Sequence, residues 1–103
     1  MLIYNTSFHV DGEAHLSEFL QYMRDEYLPT ALSGGYLRNP RFVRLLTNIG
    51  DGLLGYSLMM ETDGVSTLKS YKKEIEPKLD REFVAKFGDR ILRFSTTMTE
   101  ISL

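Results

Sequence analysis

Two histidines, His9 and His15, and two arginines at strand-like positions, Arg44 and Arg93, are the residues of this chain best suited to chemistry. An imidazole titrates near neutral pH, so His9, on the more polar side of an alternating segment, is a candidate general base. Two guanidinium groups directed at one compartment would hold a carboxylate or phosphate through paired hydrogen bonds. The Asn5 amide and the Ser57 hydroxyl fall on the same side of the strand pattern, with Ser7 and Ser95 beside them, and would orient a small ligand. The candidate ligand-binding set is therefore Asn5, His9, Arg44, Ser57 and Arg93, with no catalytic residue assigned. Each has a plainer reading. His9 can be a rim histidine without a task, the arginines can pair with a carboxylate such as Glu61, and alternation alone puts small polar residues on a less apolar face.

Other chemistry is excluded more firmly. The chain has no cysteine, which removes disulfides, thiol nucleophiles and cysteine-ligated zinc. Two histidines without a spaced carboxylate do not make a zinc site, so neither a metal nor another cofactor is implied. There is no Gly-x-Ser-x-Gly elbow. Gly34-Gly35 lacks the Lys-Ser or Lys-Thr of a phosphate loop and reads as a helix stop. The mixed charges between residues 69 and 82 suit a solvated helix surface. A formal charge of −2 and a pI near 5.6 argue against a nucleic-acid partner. The RNA-binding basic–glycine–aromatic pattern is missing from Leu53-Leu54-Gly55-Tyr56-Ser57-Leu58-Met59. The longest near-apolar stretch, Leu53 to Met60, is too short to cross a bilayer. The first residues lack the basic and apolar regions of a signal peptide, so a cytoplasmic location is expected.

Hydrophobic spacing supplies the elements that must position these groups. Leu2 to Val10 alternates with a period of two and reads as a strand. Leu16, Phe19, Leu20, Met23, Tyr27, Ala31 and Leu32 recur at helical spacing, with Asp11 as a possible cap and Pro29 predicting a kink or an altered last turn. Residues 42–49 and 53–61 alternate again around a reversal at Gly50-Asp51-Gly52. Leu68 to Phe87 reads as two helical segments meeting at Glu76-Pro77. A last strand runs from Arg90 to Ile101.

This order, βαββαβ, predicts a single α+β domain over residues 1–103. Its expected fold is a ferredoxin-like sandwich, a four-stranded antiparallel sheet with both helical regions on one face. Assigning the more apolar side of each strand to the helices puts Tyr4, Phe8, Val10, Val43, Leu45, Ile49, Tyr56, Leu58, Leu92, Phe94 and Met98 in the core. The open face then carries Ile3, Phe42, Leu46, Leu53, Met59 and Ile91, along with Arg44 and Arg93. That much apolar surface predicts a homodimer through the open sheet face, with a small anionic or polar ligand held near the two arginines.

Ile3-Tyr4-Asn5, the helix pattern from Met23 to Leu28-Pro29, Arg44-Leu45-Leu46, Tyr56-Ser57 and Phe87-Gly88-Asp89 together resemble an uncharacterised family, domain of unknown function 4286. The resemblance runs over nearly the whole chain and implies a fold similar to dimeric α/β barrels, without a known activity. The family tends to carry histidines where this chain has Tyr27 and Phe83, so no role of those histidines transfers. The expectation is a small cytosolic homodimeric binding or accessory protein. The alternative, by fold analogy, is a cofactor-independent enzyme of the dimeric-barrel monooxygenase or isomerase kind.

Overall fold

Strand β1 (Leu2–Asp11) lies at the centre of a four-stranded antiparallel sheet in the order β2-β3-β1-β4. The structure, a computed structural model, describes every residue of the chain except Asn48 and Asp51. The expected reversal at Gly50-Asp51-Gly52 therefore lies partly outside the described residues, as does the end of the alternation at Asn48. β2 (Arg38–Arg44) and β4 (Ile91–Thr99) are the edges, and β3 (Leu53–Thr62) pairs with β1 along its whole length. The helices cover one face only, giving a slab of 38 × 35 × 18 Å. The order of elements and strands is that of a ferredoxin-like sandwich.

The first helical region is divided, and Pro29 is the physical reason. Helix α1 (Leu16–Tyr22) passes into a π-helical turn (Met23–Tyr27), then into α2 (Leu28–Leu32). The Leu28 N–H donates to the Met23 carbonyl, five residues back. A wider turn just before proline absorbs both its missing donor and its ring. Asp11 does not cap α1: His15 occupies the N-cap position, with no side-chain cap. Gly34, at φ 83°, adopts the left-handed conformation that stops the region. Helices α3 (Val65–Glu74) and α4 (Glu76–Phe87) meet as the sequence predicts, with proline in the first turn of α4.

The core is aromatic. Phe8 sits at its centre, in tilted or edge contact with Phe19, Tyr27 and Phe83. Phe87 packs against Phe19, Tyr22 and Phe83. Tyr4, Phe8, Val10, Tyr56 and Leu58 are buried there as expected.

The edge strands correct the expected faces. Register pairs Val10 with Ile91 and Phe8 with Arg93, and directly paired residues share a face. Ile91 is thus buried beneath the helices, while Leu92, Phe94 and Met98 are exposed on the open side. On β2, Phe42 pairs with Leu58 and faces the helices, so Val43 turns outward. Leu45 and Ile49 also lie over the open face, closing on Gly55: a Cβ there would meet their Cδ1 atoms at 2.7 and 2.8 Å. Glycine is required at this close approach. Leu46, beyond the end of β2, projects into solvent.

Candidate functional site

The centre of the open face is neutral and polar. Ser7 of β1 lies directly opposite Ser57 of β3. The Ser57 hydroxyl donates to Asn5 Oδ1, and Asn5 Nδ2 donates to Ser7 Oγ at 3.2 Å. His9 is two positions further along β1 and meets the Phe94 ring edge-on, with centroids 5.1 Å apart. Asn5, His9 and Ser57, expected together from alternation, are brought to one face. Ile3, Val43, Leu45, Met59, Leu92, Phe94 and Met98 surround them. The short polar side chains at positions 5, 7 and 57 lie inside this larger apolar rim. Amide, hydroxyl and imidazole groups there supply donors and acceptors without a fixed full charge.

The two arginines are not part of that arrangement. Arg93 points to the helix-covered side, opposite to the expectation. Its Nη2 lies 2.6 Å from Asp80 Oδ1, its Nη1 donates to the Tyr27 hydroxyl at 3.4 Å, and its guanidinium stands 4.7 Å over the Phe83 ring. Burial works against its charge, but the Tyr27 hydroxyl and the Asp80 carboxylate outweigh that and raise its pKa. Arg44 pairs in register with Tyr56, which also assigns it to the helix side, at the exposed end of β2. Glu61 is the partner of neither arginine among the described residues: its Oε1 accepts from Asn39 Nδ2 at 3.3 Å.

A second polar network, missed in the sequence, lies on the covered side between α4 and the β1–β4 pair. The Tyr4 hydroxyl donates to Glu76, and Thr6 and Ser95 share a hydrogen bond of 3.1 Å. Tyr4 packs edge-on against Tyr71, and Lys72 stands 5.3 Å over its ring. Burial pushes the pKa values of Tyr4, Tyr27 and Tyr71 up, helped at Tyr4 by its hydrogen bond to Glu76. The signal available in the sequence was the single cation, Arg93, within an otherwise uncharged strand, with Asp80 on the helix before it. Tyr27 and Phe83, the two positions at which the family resemblance breaks, are in edge contact beside that cation, 5.9 Å between centroids. Among the described residues no cluster of three or more His, Cys, Asp or Glu side chains forms a metal site.

No described helix is long and apolar enough to cross a membrane. No curated protein matches the chain. The fold has solved counterparts at low identity. A crystal structure of an ethyl tert-butyl ether D (EthD) family protein from Bacillus halodurans is similar at 16% identity and TM-score 0.71, covering 98% of this chain and 100% of that one. A dimeric ferredoxin-like protein from an uncultured marine organism aligns at 6% identity and TM-score 0.70, over 99% and 97% of the two chains. A dimeric ferredoxin-like protein of unknown function from Thermobifida fusca aligns at 15% identity and TM-score 0.60, over 97% and 92%. The chain belongs to the family described as Domain of unknown function (DUF4286), whose profile matches residues 1–101.

Proposed function

We propose that this protein is a cytoplasmic homodimer that joins through its open sheet faces and binds a small, uncharged polar molecule between them. The single observation that carries this reading is the apolar rim of Ile3, Val43, Leu45, Met59, Leu92, Phe94 and Met98 around a neutral polar centre. Leu92 and Phe94 are 56% and 51% exposed in the single chain. Contiguous apolar surface of this kind marks an interaction face. Four strands about 4.8 Å apart and about 30 Å long present a planar footprint of about 600 Å². Two such faces, corrugated by side chains, reach the ~1,200 Å² that a specific interface needs. A second copy fits because the rim is chiefly aliphatic and thioether with one aromatic ring, and its charges, Arg41 beside Met59 and Glu61 beside Ile3, are of opposite sign. The dimeric state named for the marine and Thermobifida neighbours supports the same occupant.

Pairing the faces would bring two polar centres into a dry environment. Asn5, Ser7 and Ser57 partly satisfy one another, so the groups left to pair are the Ser7 hydroxyl proton, the second Asn5 amide N–H and the His9 ring. A buried donor or acceptor without a partner costs about 1–3 kcal/mol. A ligand with a carbonyl or hydroxyl group meets that need. Binding, rather than a named reaction, is the reading the geometry supports.

Light scattering across a dilution series tests the dimer. The expected mass is twice the 11.9 kDa of one chain. Phe94→Lys should shift it to monomer while circular dichroism stays unchanged. A wild-type mass of one chain at every concentration overturns the reading.

A further inference from the structure

Phe42 was expected on the open face, yet it lies on the helix-covered face and is still 39% exposed. The helical layer does not extend over β2, all seven residues of which are exposed. Between the helices and that strand is a cavity of about 190 Å³, lined by Leu20, Met23, Arg24, Leu28, Phe42 and Leu58. The Phe42 ring is stacked on Tyr56, 5.5 Å between centroids at 14°, so one wall is a fixed aromatic face. The opposite wall is built by the π turn, which supplies Met23 and Arg24, and by Leu28, whose N–H closes that turn. π turns of this kind recur where helices serve a site.

Size and charge then select the ligand. An apolar cavity of about 150 Å³ accepts a single benzene ring, and this cleft, open to solvent on one side, has room for a ring of that size. Arg24 is the one charged residue lining it, and it makes no ion pair among the described residues. A guanidinium at the edge of an apolar cleft favours a carboxylate, which it binds through two parallel hydrogen bonds. Methionine adapts to a ring edge, and leucines supply the rest of the contact.

We infer that this cleft is a binding site for single-ring aromatic carboxylates, with the ring against Phe42 and Met23 and the carboxylate on Arg24. The site is on the side of the sheet opposite the open face and is independent of the dimer.

Methyl-resolved NMR tests it, with phenylacetate and the uncharged phenylacetamide as probes. Phenylacetate should shift the methyl signals of Leu20, Met23, Leu28 and Leu58 in a saturable way. Arg24→Gln should weaken phenylacetate by about fivefold, the worth of one exposed charge pair, and leave phenylacetamide unchanged. Leu20→Phe should fill the cleft and abolish both responses, and Arg24→Gln, a surface change, keeps the test valid if Leu20→Phe misfolds. The inference is overturned if phenylacetate at millimolar concentration moves none of these signals. It is equally overturned if the shifts fall on Ile3, Met59 and Met98 of the open face, or if Arg24→Gln weakens both probes alike.

Discussion

The two faces of the sheet are both apolar, but they are built differently. The covered face is a set of interlocked rings: Phe8, Phe19, Tyr27, Phe83 and Phe87 are each no more than 3% exposed. The open face is aliphatic and thioether with one ring, Phe94, and holds neutral hydrogen-bonding groups at its centre. Aromatic edge and tilted contacts fix one arrangement of the helices on the sheet. The open face has no such interlock within the chain, and its large side chains remain half exposed. The first surface stabilises the fold of one chain; the second is apolar area that the chain itself leaves uncovered.

Truncating a ring at the centre of the covered face should have the largest effect. Phe8→Ala removes contacts to four rings, Phe19, Tyr27, Phe42 and Phe83, and is expected to cost about 3–5 kcal/mol of unfolding free energy, read from denaturant titration. Phe94→Ala should do the reverse. It should leave monomer unfolding nearly unchanged and weaken the dimer by about 2 kcal/mol, as the loss of a central anchor does. Sedimentation or light scattering reads that change. Equal losses of monomer stability in the two variants would erase the distinction between the faces.

The covered face also predicts the response to alkali. Tyr4, Tyr27 and Tyr71 have raised pKa values in the folded chain, each chiefly from burial. Below about pH 10 both states hold these protons and the full stability is present. Above it the unfolded chain has released protons that the folded chain keeps, so stability falls as pH rises. The expected slope is about 1.4 kcal/mol per pH unit for each such tyrosine. Ionisation of these three tyrosines, followed by their ring NMR signals, should appear together with unfolding and not before it. Titration of all three near pH 10 in the folded protein would contradict this.

Arg93→Met should have the smallest effect. It breaks the pair with half-exposed Asp80 and the hydrogen bond to buried Tyr27, and should cost about 1–2 kcal/mol. Because Arg93 lies on the covered side, the variant should leave dimerisation intact. A lost dimer would place Arg93 at the open face after all.

The two central strands and the two edges were not equally legible. On β1 and β3 the more apolar parity is also the buried one, and Tyr4, Phe8, Tyr56 and Leu58 could be assigned from alternation alone. On β4 the same rule selects Leu92, Phe94 and Met98, which the structure leaves outside. The rule assumes that only one face of a sheet avoids water. Where the second face is apolar too, alternation locates two faces without telling which is covered. The ion pair of Arg93 with Asp80, the Thr6–Ser95 hydrogen bond and the fit of Ile91 beside Val10 decide between them. All three join residues far apart in sequence.

The same division holds for the candidate site. Asn5, His9 and Ser57 come together because β1 and β3 alternate and pair without a bulge, and period-two alternation is visible in the chain itself. The βαββαβ order, the break at Glu76-Pro77 and the disturbance caused by Pro29 were equally local, set by backbone donors and φ restrictions that a residue carries with it. Which way Arg93 and Phe42 point is a property of strand register against a helical layer of limited width. Only tertiary packing sets that register, because a one-residue shift reverses every side chain on an edge strand while leaving its hydrophobic period unchanged.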